Sequence, residues 1–327
     1  MMPSRSMPAA PRSSTATPRA TRPSAPATAT PAPAVATDAF AQLGALFARA
    51  NALLDRLESV LPAAAPEPDW DGAVAFRWIG RNGRKQLVAV RKLSPIAYDD
   101  LIGIDEQKRK IERNTRQFVQ GRPANNVLIT GARGTGKSSL VKATLNKFAR
   151  QGLRLIEVDK ADLIDLPELA ELLAGRPERF IVFSDDLSFE EGEPGYKALK
   201  SVLDGSVSAA ADNVLIYATS NRRHLLPEYL QENLSYKHAG NGEIHPGEVV
   251  EEKISLSERF GLWLSFYPYD QEHYLRIVAH WLDVFGVPAN RRDKALQESL
   301  VWALERGSRS GRVAWQFARD WAGRGGR

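Results

Sequence analysis

The sequence of 327 residues contains no cysteine, which excludes disulfide bonds and thiolate metal sites and is typical of a protein from a reducing compartment. It also contains no run of eighteen apolar residues, so we expect no membrane span. Its five histidines show no metal-ligand spacing, and no serine–histidine–aspartate arrangement stands out. These absences leave a cytoplasmic globular protein as the expected class.

A strong excess of one charge is missing as well. The formal net charge is +5, and residues 1–38, with four arginines and one aspartate, contribute +3 of it. Because the remaining chain carries only +2, the charge gives weak support to a nucleic-acid partner.

Residues 1–38 are mainly Pro, Ala, Ser and Thr, with almost no large apolar side chains. Such a segment cannot bury enough surface to offset the entropy lost on ordering, so we predict a disordered tail. Its arginines are typical of an organelle transit peptide, but its eight prolines oppose the amphipathic helix that such a peptide forms. A disordered extension is therefore the favoured interpretation.

Residues 39–98 predict a helix followed by a hairpin. Apolar residues between Phe40 and Leu61 recur at three- and four-residue spacing, which predicts an amphipathic helix. The alternating segments 73–79 and 86–91 flank Gly80-Arg-Asn-Gly83 and predict a β-hairpin.

From residue 99 to residue 267, short apolar runs alternate with helical patterns, which predicts an α/β domain with a parallel sheet sandwiched by helices. The predicted strands are 126–130, 153–158, 180–184, 214–218 and 262–266, and the predicted helices lie near 105–120, 137–150, 167–174 and 194–204. Residues 268–327 predict a small helical domain with helices at 270–285, 291–306 and 311–323. We expect its tryptophans to face inward, namely Trp281, Trp302, Trp315 and Trp321.

The pattern G-x-x-x-x-G-K-[ST] lies between a predicted strand and a predicted helix, as a phosphate-binding loop requires. Its glycines let successive backbone N–H groups point at an anion, and the helix adds the partial positive charge of its N-terminus. Lys137 can reach the β- and γ-phosphates of a nucleotide, and Ser138 can bind Mg²⁺. A Gly-rich turn that matches by chance is the alternative. The predicted cofactor-binding residues of the loop are Gly131, Ala132, Arg133, Gly134, Thr135, Gly136, Lys137, Ser138 and Ser139.

Two aspartates follow the predicted strand 180–184. At the carboxyl end of that strand, Asp185 can hold Mg²⁺ directly or through water, and Asp186 can act as the general base for an attacking water. The alternative is a strand that runs into an acidic loop, because three glutamates follow at 190, 191 and 193.

A polar residue also follows the predicted strand 214–218. Asn221 can both donate and accept hydrogen bonds, which suits a residue that orients the hydrolytic water beside the γ-phosphate. Asparagine is also common in turns, and that alternative stays open.

This order of motifs, with a helical domain after them, resembles the AAA+ P-loop ATPase superfamily. Within it, the chain resembles a bacterial ATP-binding family known as domain-of-unknown-function family 815. The resemblance covers roughly residues 75–323 and is carried by the segments 99–103, 125–131, 183–189, 255–261 and 310–317.

The resemblance implies a P-loop NTPase sheet with a helical lid, and ATP and Mg²⁺ as cofactors. Ile102 would lie in the segment on the adenine side of the pocket. Arg259 would be an arginine finger that reaches the γ-phosphate of a neighbouring subunit, which implies a homo-oligomer; a salt bridge or a surface charge is the alternative. Arg312 would be the second sensor, which reaches from the lid to the phosphates. Three other arginines compete for that role, at 306, 309 and 319.

Two features depart from the family pattern. Many AAA+ proteins carry a glutamate where this chain has Asp186, and the shorter side chain predicts slow turnover. The polar segment 229–252 is longer than a simple connection and is expected to be a substrate-facing insertion or a mobile loop.

Our leading hypothesis is therefore an AAA+ ATPase that hydrolyses ATP with Mg²⁺ to remodel or regulate an unknown protein client. A nucleotide-gated binding module with negligible turnover is the first alternative. A DNA-associated loader or remodeller is the second, and the nearly neutral body ranks it last.

Overall fold

The computed structural model describes residues 34–60, 67–80, 85–189, 193–204, 212–222, 225, 237–238, 244–245 and 256–324 of the chain. They belong to two units, residues 1–63 and residues 64–327, and each unit is described by itself.

The first unit contains one long helix, α1 (Ala34–Val60), at the place where the apolar spacing predicts it. It begins directly after Pro33, because a proline inside a helix removes a hydrogen bond and clashes with the preceding turn. Its first five residues fall within the segment 1–38 that composition assigns to a disordered tail, and the rest of that segment lies outside the described residues. Its large apolar side chains are exposed, namely Leu43, Leu46, Phe47, Leu53, Leu54 and Leu57.

The second unit is built on a seven-stranded sheet. Its strands in chain order are β1 (Ala75–Ile79), β2 (Gln86–Ala89), β3 (Val127–Gly131), β4 (Leu153–Val158), β5 (Arg179–Ser184), β6 (Val214–Ser220) and β9 (Leu262–Phe266). In space they follow the order β2-β1-β4-β5-β6-β3-β9, and every neighbouring pair is parallel except β1 and β2. The remaining strands, β7 (Lys237–His238) and β8 (Ile244–His245), form a separate antiparallel pair inside the predicted insertion 229–252.

The hairpin of β1 and β2 extends the main sheet. It is therefore part of the α/β domain, whereas the sequence predicted a domain boundary after residue 98. Strand β1 pairs in parallel with β4, so that Ala75 lies opposite Leu155. Phe76 and Trp78 are buried, and the Trp78 indole N–H donates to Asp165 at 3.2 Å. The hairpin therefore buries its aromatic side chains only as part of the α/β domain.

Helices cover both faces of this sheet. They are α2 (Asp105–Val119), α3 (Lys137–Phe148), α4 (Leu166–Leu173) and α5 (Pro194–Asp204). Successive residues of a strand point to opposite faces, so Leu128 packs in one core with Leu169 of α4. Its neighbour Ile129 packs in the other core with Ile111 of α2 and Leu140 of α3. The central strands are apolar on both sides because both sides are covered.

Three further helices follow the last strand, α6 (Gln271–Val284), α7 (Arg292–Glu305) and α8 (Gly311–Gly323). They enclose their own apolar core, which contains Tyr274, Phe317 and Trp321. Trp302 packs partly buried against this core. Trp315 faces a cavity beside the phosphate loop instead, so the expectation that all four tryptophans turn inward is wrong for this residue. None of the described helices is long and apolar enough to cross a membrane.

Candidate functional site

The phosphate loop joins β3 to α3 in a conformation that depends on glycine. Gly131 has φ +134°, and a Cβ atom there would lie 1.9 Å from the carbonyl oxygen of Phe266 on β9. Gly134 has φ +74°, and a Cβ atom there would lie 2.8 Å from the Ser310 side chain. These positions bring the loop against both the sheet and the C-terminal helices, and no larger residue fits either of them.

Lys137 opens α3 and lies at the centre of the site. Its ammonium group donates to the carbonyl oxygens of Gly131 and Ala132 and to Asn221 Oδ1, each at 2.8 Å. Burial lowers the pKa of this amine from its ordinary value, and the carboxylates of Asp185 and Asp186 act in the opposite direction. A polyphosphate in the loop would favour the charged form of the amine further.

Ser138 and Asp185, the two residues predicted to hold Mg²⁺, are bonded to each other. The Ser138 hydroxyl donates to Asp185 Oδ1 at 2.6 Å, across 47 residues of sequence. Both side chains offer oxygen as the ligand atom, and Mg²⁺ commonly takes one or two protein oxygens and completes its shell with phosphate and water. The described residues contain no group of three or more His, Asp or Glu that could hold a metal ion by themselves. The pair therefore fits a magnesium ion that is held jointly with a phosphate.

Asp186 lies beside this pair in an unusual backbone conformation. Its φ is +54°, which makes it the one described non-glycine residue with a positive φ. Its carboxylate accepts a hydrogen bond from Asn221 Nδ2, and one oxygen lies 3.7 Å from the guanidinium of Arg133. Because Asn221 contacts both Lys137 and Asp186, the predicted base, the predicted water-orienting amide and the phosphate-binding lysine are joined in one network.

Several residues of the site were not predicted, and two of them bond directly to predicted site residues. Thr219, near the tip of β6, donates to Asp185 and accepts from the backbone N–H of Asp186 at 2.9 Å. Tyr269 donates to the carbonyl oxygen of Thr135 at 2.6 Å, and burial raises its pKa to about 12, which keeps its hydroxyl protonated. Thr219 lies two residues before Asn221 and Tyr269 directly after Pro268, and neither position is distinctive in the sequence.

The C-terminal helices contact the phosphate loop directly. Gly311, the first residue of α8, donates its N–H to the carbonyl oxygen of Gly134 at 2.8 Å. Ser310 caps that helix by accepting from the N–H of Val313. The N-terminus of α8 and its partial positive charge thus lie next to the loop that opens α3, and Arg312 in the first turn lines the same cavity.

The cavity at this junction has a volume of about 1100 Å³. Its polar lining comes from the phosphate loop and the two aspartates. Its apolar lining includes Ile102 and the aromatic side chains of Trp281, Phe285 and Trp315. His280 Nε2 lies 3.0 Å from Asp100 Oδ1 and ties α6 to the segment that carries Ile102. One cavity therefore combines a site for an anion with a largely apolar wall.

The predicted site residues separate into those that line this cavity and those that do not. The residues that line it are Ile102, Arg133, Gly134, Gly136, Lys137, Ser138, Ser139, Asp185, Asp186, Asn221 and Arg312. Gly131, Ala132 and Thr135 support the loop through their backbone carbonyl groups.

The structure does not bring Arg259 to the cavity. Its guanidinium pairs with Asp204 at the end of α5, which is the salt bridge left open as the alternative. Among the competing arginines, the guanidinium of Arg306 lies over the Trp302 ring and that of Arg319 over the Trp315 ring. Of these four described arginines, Arg312 alone lines the cavity, and Arg309 is exposed on the segment before α8.

A family model described as "Protein of unknown function (DUF815)" matches residues 71–325. Among curated proteins, the ATP-dependent zinc metalloprotease FtsH of Burkholderia pseudomallei is 29% identical over 179 residues, which cover 46% of this chain and 26% of that protein. The proteasome-activating nucleotidase 2 of Haloferax volcanii is 29% identical over 131 residues, which cover 32% of this chain and 29% of that protein. The chain thus spans less than a third of the length of either relative.

Among solved structures, a variant of RuvB from Thermotoga maritima is 15% identical, with a TM-score of 0.46. The alignment covers 69% of this chain and 63% of that one.

Proposed function

Because the chain belongs to the family of proteins of unknown function called DUF815, within the AAA+ P-loop ATPase superfamily, we propose that it binds ATP with Mg²⁺ and hydrolyses it. The observation that carries the proposal is the convergence of Lys137, Asp185, Asp186 and Asn221 on one cavity. These four side chains come from three separate strand ends, and each has a different chemical role in phosphoryl transfer.

The roles follow from the charges and hydrogen bonds of the side chains. The N–H groups of the loop and the ammonium group of Lys137 bind the β- and γ-phosphates, which replace the loop carbonyls as partners of the amine. Asn221 exchanges its bond with Asp186 for one with the attacking water. Asp186 then accepts the proton of that water as it attacks the γ-phosphorus and the bond to the β-phosphate oxygen breaks.

Ser138 and Asp185 are the residues that would hold Mg²⁺. When bound, the ion neutralises charge that develops on the β- and γ-phosphate oxygens. Arg312 adds a second positive charge from the side of the helical lid. The apolar wall that includes Ile102 accepts the adenine ring of ATP.

The proposal is tested by phosphate release from the wild type and from Lys137→Ala. We expect the variant to lose about 10²-fold or more, because it lacks the cation that contacts the transferred phosphate. Lys147→Ala is the matched control, since Lys147 lies on the same helix and pairs with Glu112 away from the cavity. Equal release from the wild type and Lys137→Ala would contradict the enzymatic proposal.

We further propose that Arg259 acts as an arginine finger in a homo-oligomer, where it exchanges Asp204 for the γ-phosphate of a neighbouring subunit. Mixed subunits test this directly. In a mixture of Lys137→Ala and Arg259→Ala chains, the first variant supplies the arginine and the second supplies an intact phosphate loop. Phosphate release should exceed that of either variant alone, and a mixture no more active than its components would refute action between subunits.

One observation favours the alternative of a nucleotide-gated binding module. The Asn221 amide is already bonded to both Lys137 and Asp186, so it must give up one of these bonds before it can orient a water. Tight ATP binding without phosphate release, even at high protein concentration, would identify that function. For either function, we propose that the target is another protein.

A further inference from the structure

The two aspartates of the site share a hydrogen-bond partner, the hydroxyl group of Thr219. Asp186 adopts a left-handed backbone conformation, φ +54°, which is uncommon for non-glycine residues, although aspartate tolerates it better than most. The chain directly after it is bonded to the tip of β6: the N–H of Leu187 donates to the carbonyl oxygen of Thr219 at 2.7 Å. The Ser220 hydroxyl donates to the carbonyl oxygen of Leu187 at 2.6 Å.

The Thr219 hydroxyl is the contact that reaches both aspartates. A backbone N–H can only donate, so the hydroxyl oxygen accepts from Asp186 N–H. The single hydroxyl proton is therefore available for Asp185, whose Oδ1 atom accepts it. Thr219 is 1% exposed, so water does not compete for these two bonds.

The same carboxylate oxygen also accepts from Ser138. The rotamer of Asp185 is thus determined by two hydroxyl groups, one from the phosphate loop and one from β6. Partners of this kind orient a metal-binding carboxylate and change metal affinity or activity by about 10- to 100-fold when they are removed.

We propose that Thr219 is a positioning residue that aims the Asp185 carboxylate at Mg²⁺ and holds the backbone of Asp186 in the conformation of the general base. The inference rests on the proposed binding of Mg²⁺ and ATP. In this proposal, the single buried hydroxyl of Thr219 connects Asp185 at the metal site to Asp186, the general base. The side chains of the phosphate loop do not make this connection by themselves.

The test uses the full-length protein and Thr219→Val, which keeps the shape of the side chain and removes the hydroxyl. The first readout is the affinity for a fluorescent ATP analogue with Mg²⁺ and with EDTA, expressed as the ratio of the two dissociation constants. We expect the tightening by Mg²⁺ to fall by about 10-fold or more in Thr219→Val and to return in Thr219→Ser. The affinity in EDTA should change little, because the Thr219 hydroxyl bonds to the two aspartates and to no group of the phosphate loop.

Thr115→Val is the matched control. Thr115 is also fully buried and its hydroxyl donates to Ile111, but it lies on α2 away from the aspartates. It should lower the unfolding temperature and leave the effect of Mg²⁺ unchanged. Thr219→Ala is measured in parallel, so that the test still stands if Thr219→Val does not fold.

The outcomes separate this inference from the proposed function. If Mg²⁺ tightens ATP binding equally in the wild type and in Thr219→Val, the inference is wrong and the proposed function stands. The same holds if Thr115→Val loses the effect of Mg²⁺ as strongly as Thr219→Val, because the loss then reflects stability alone. If Mg²⁺ does not tighten binding to the wild type, the metal site of the proposed function fails and this inference fails with it.

Discussion

The contact between the phosphate loop and helix α8 is tested by Gly134→Ala. Gly134 has φ +74°, and its new Cβ atom would lie 2.8 Å from both Cβ and Oγ of Ser310. The substitution carries two costs, one from the backbone conformation and one from the clash. The matched control is Gly152→Ala, where φ is +89° and no atom lies within 4 Å of the added Cβ.

The control isolates the cost of the left-handed conformation, about 1–2 kcal/mol for a residue with a Cβ atom. Gly134→Ala adds an overpacking cost of about 1–3 kcal/mol, because Ser310 caps α8 and cannot move without shifting that helix. A shift also weakens the bond from Gly311 N–H to the Gly134 carbonyl oxygen, worth about 1 kcal/mol. We therefore expect a total loss of about 2–6 kcal/mol for Gly134→Ala.

The assay is urea unfolding of both variants beside the wild type, followed by titration with a fluorescent ATP analogue. Gly134→Ala should be less stable than Gly152→Ala by more than about 1 kcal/mol and should bind ATP more weakly, since its phosphate loop is displaced. Equal destabilisation of the two variants would show that the loop and α8 are not in contact, and would refute the reasoning.

Three further predictions follow from the same contacts. Arg312→Ala should weaken ATP binding about tenfold. Arg309→Ala, which removes an exposed charge from the segment before α8, should not weaken it. Equal effects of the two substitutions would refute the role assigned to Arg312. Tyr269→Phe, which loses the bond to the Thr135 carbonyl oxygen, should cost about 1 kcal/mol in urea unfolding, and no loss would contradict it. Burial lowers the pKa of Lys137 below the unfolded value near 10.5, so the unfolded chain binds more protons between the two pKa values. The wild type should therefore gain stability relative to Lys137→Met as pH rises through that window, and a difference independent of pH would refute it.

Sequence predicts those parts of the site that depend on a continuous local pattern or on the end of a predicted strand. The phosphate loop is one uninterrupted pattern between a strand and a helix, so its position followed from local residues. Asp185 and Asn221 could be predicted because the ends of parallel strands meet at one edge of a sheet. The five strands between residues 126 and 266 and the three C-terminal helices were placed to within a few residues, because each has its own local apolar pattern.

The remaining features depend on contacts between distant segments. The pairing of β1 with β4 joins residues 80 positions apart, and an alternating pattern does not specify which strand is its neighbour. Tyr269 reaches across 134 residues to the phosphate loop. Thr219 has the β-branched side chain of an ordinary strand residue, so nothing local distinguishes its hydroxyl from others.

Arg259 shows the limit of family resemblance for a single charge. A guanidinium at that position serves equally well in a salt bridge within the chain or as a finger toward a neighbour. The structure shows its pairing with Asp204, and the choice between the two roles depends on an assembled oligomer.

The central claim is that the residues around Lys137 form a hydrolytic site, and single-turnover cleavage of ATP with the protein in excess tests it most directly. The Asp186→Asn variant should bind Mg²⁺ and ATP as tightly as the wild type, because the amide keeps the size of the side chain. It should cleave ATP about 10²- to 10⁴-fold more slowly, because it lacks the general base. Cleavage by Asp186→Asn at the wild-type rate, or bound ATP that the wild type does not cleave, would contradict the account.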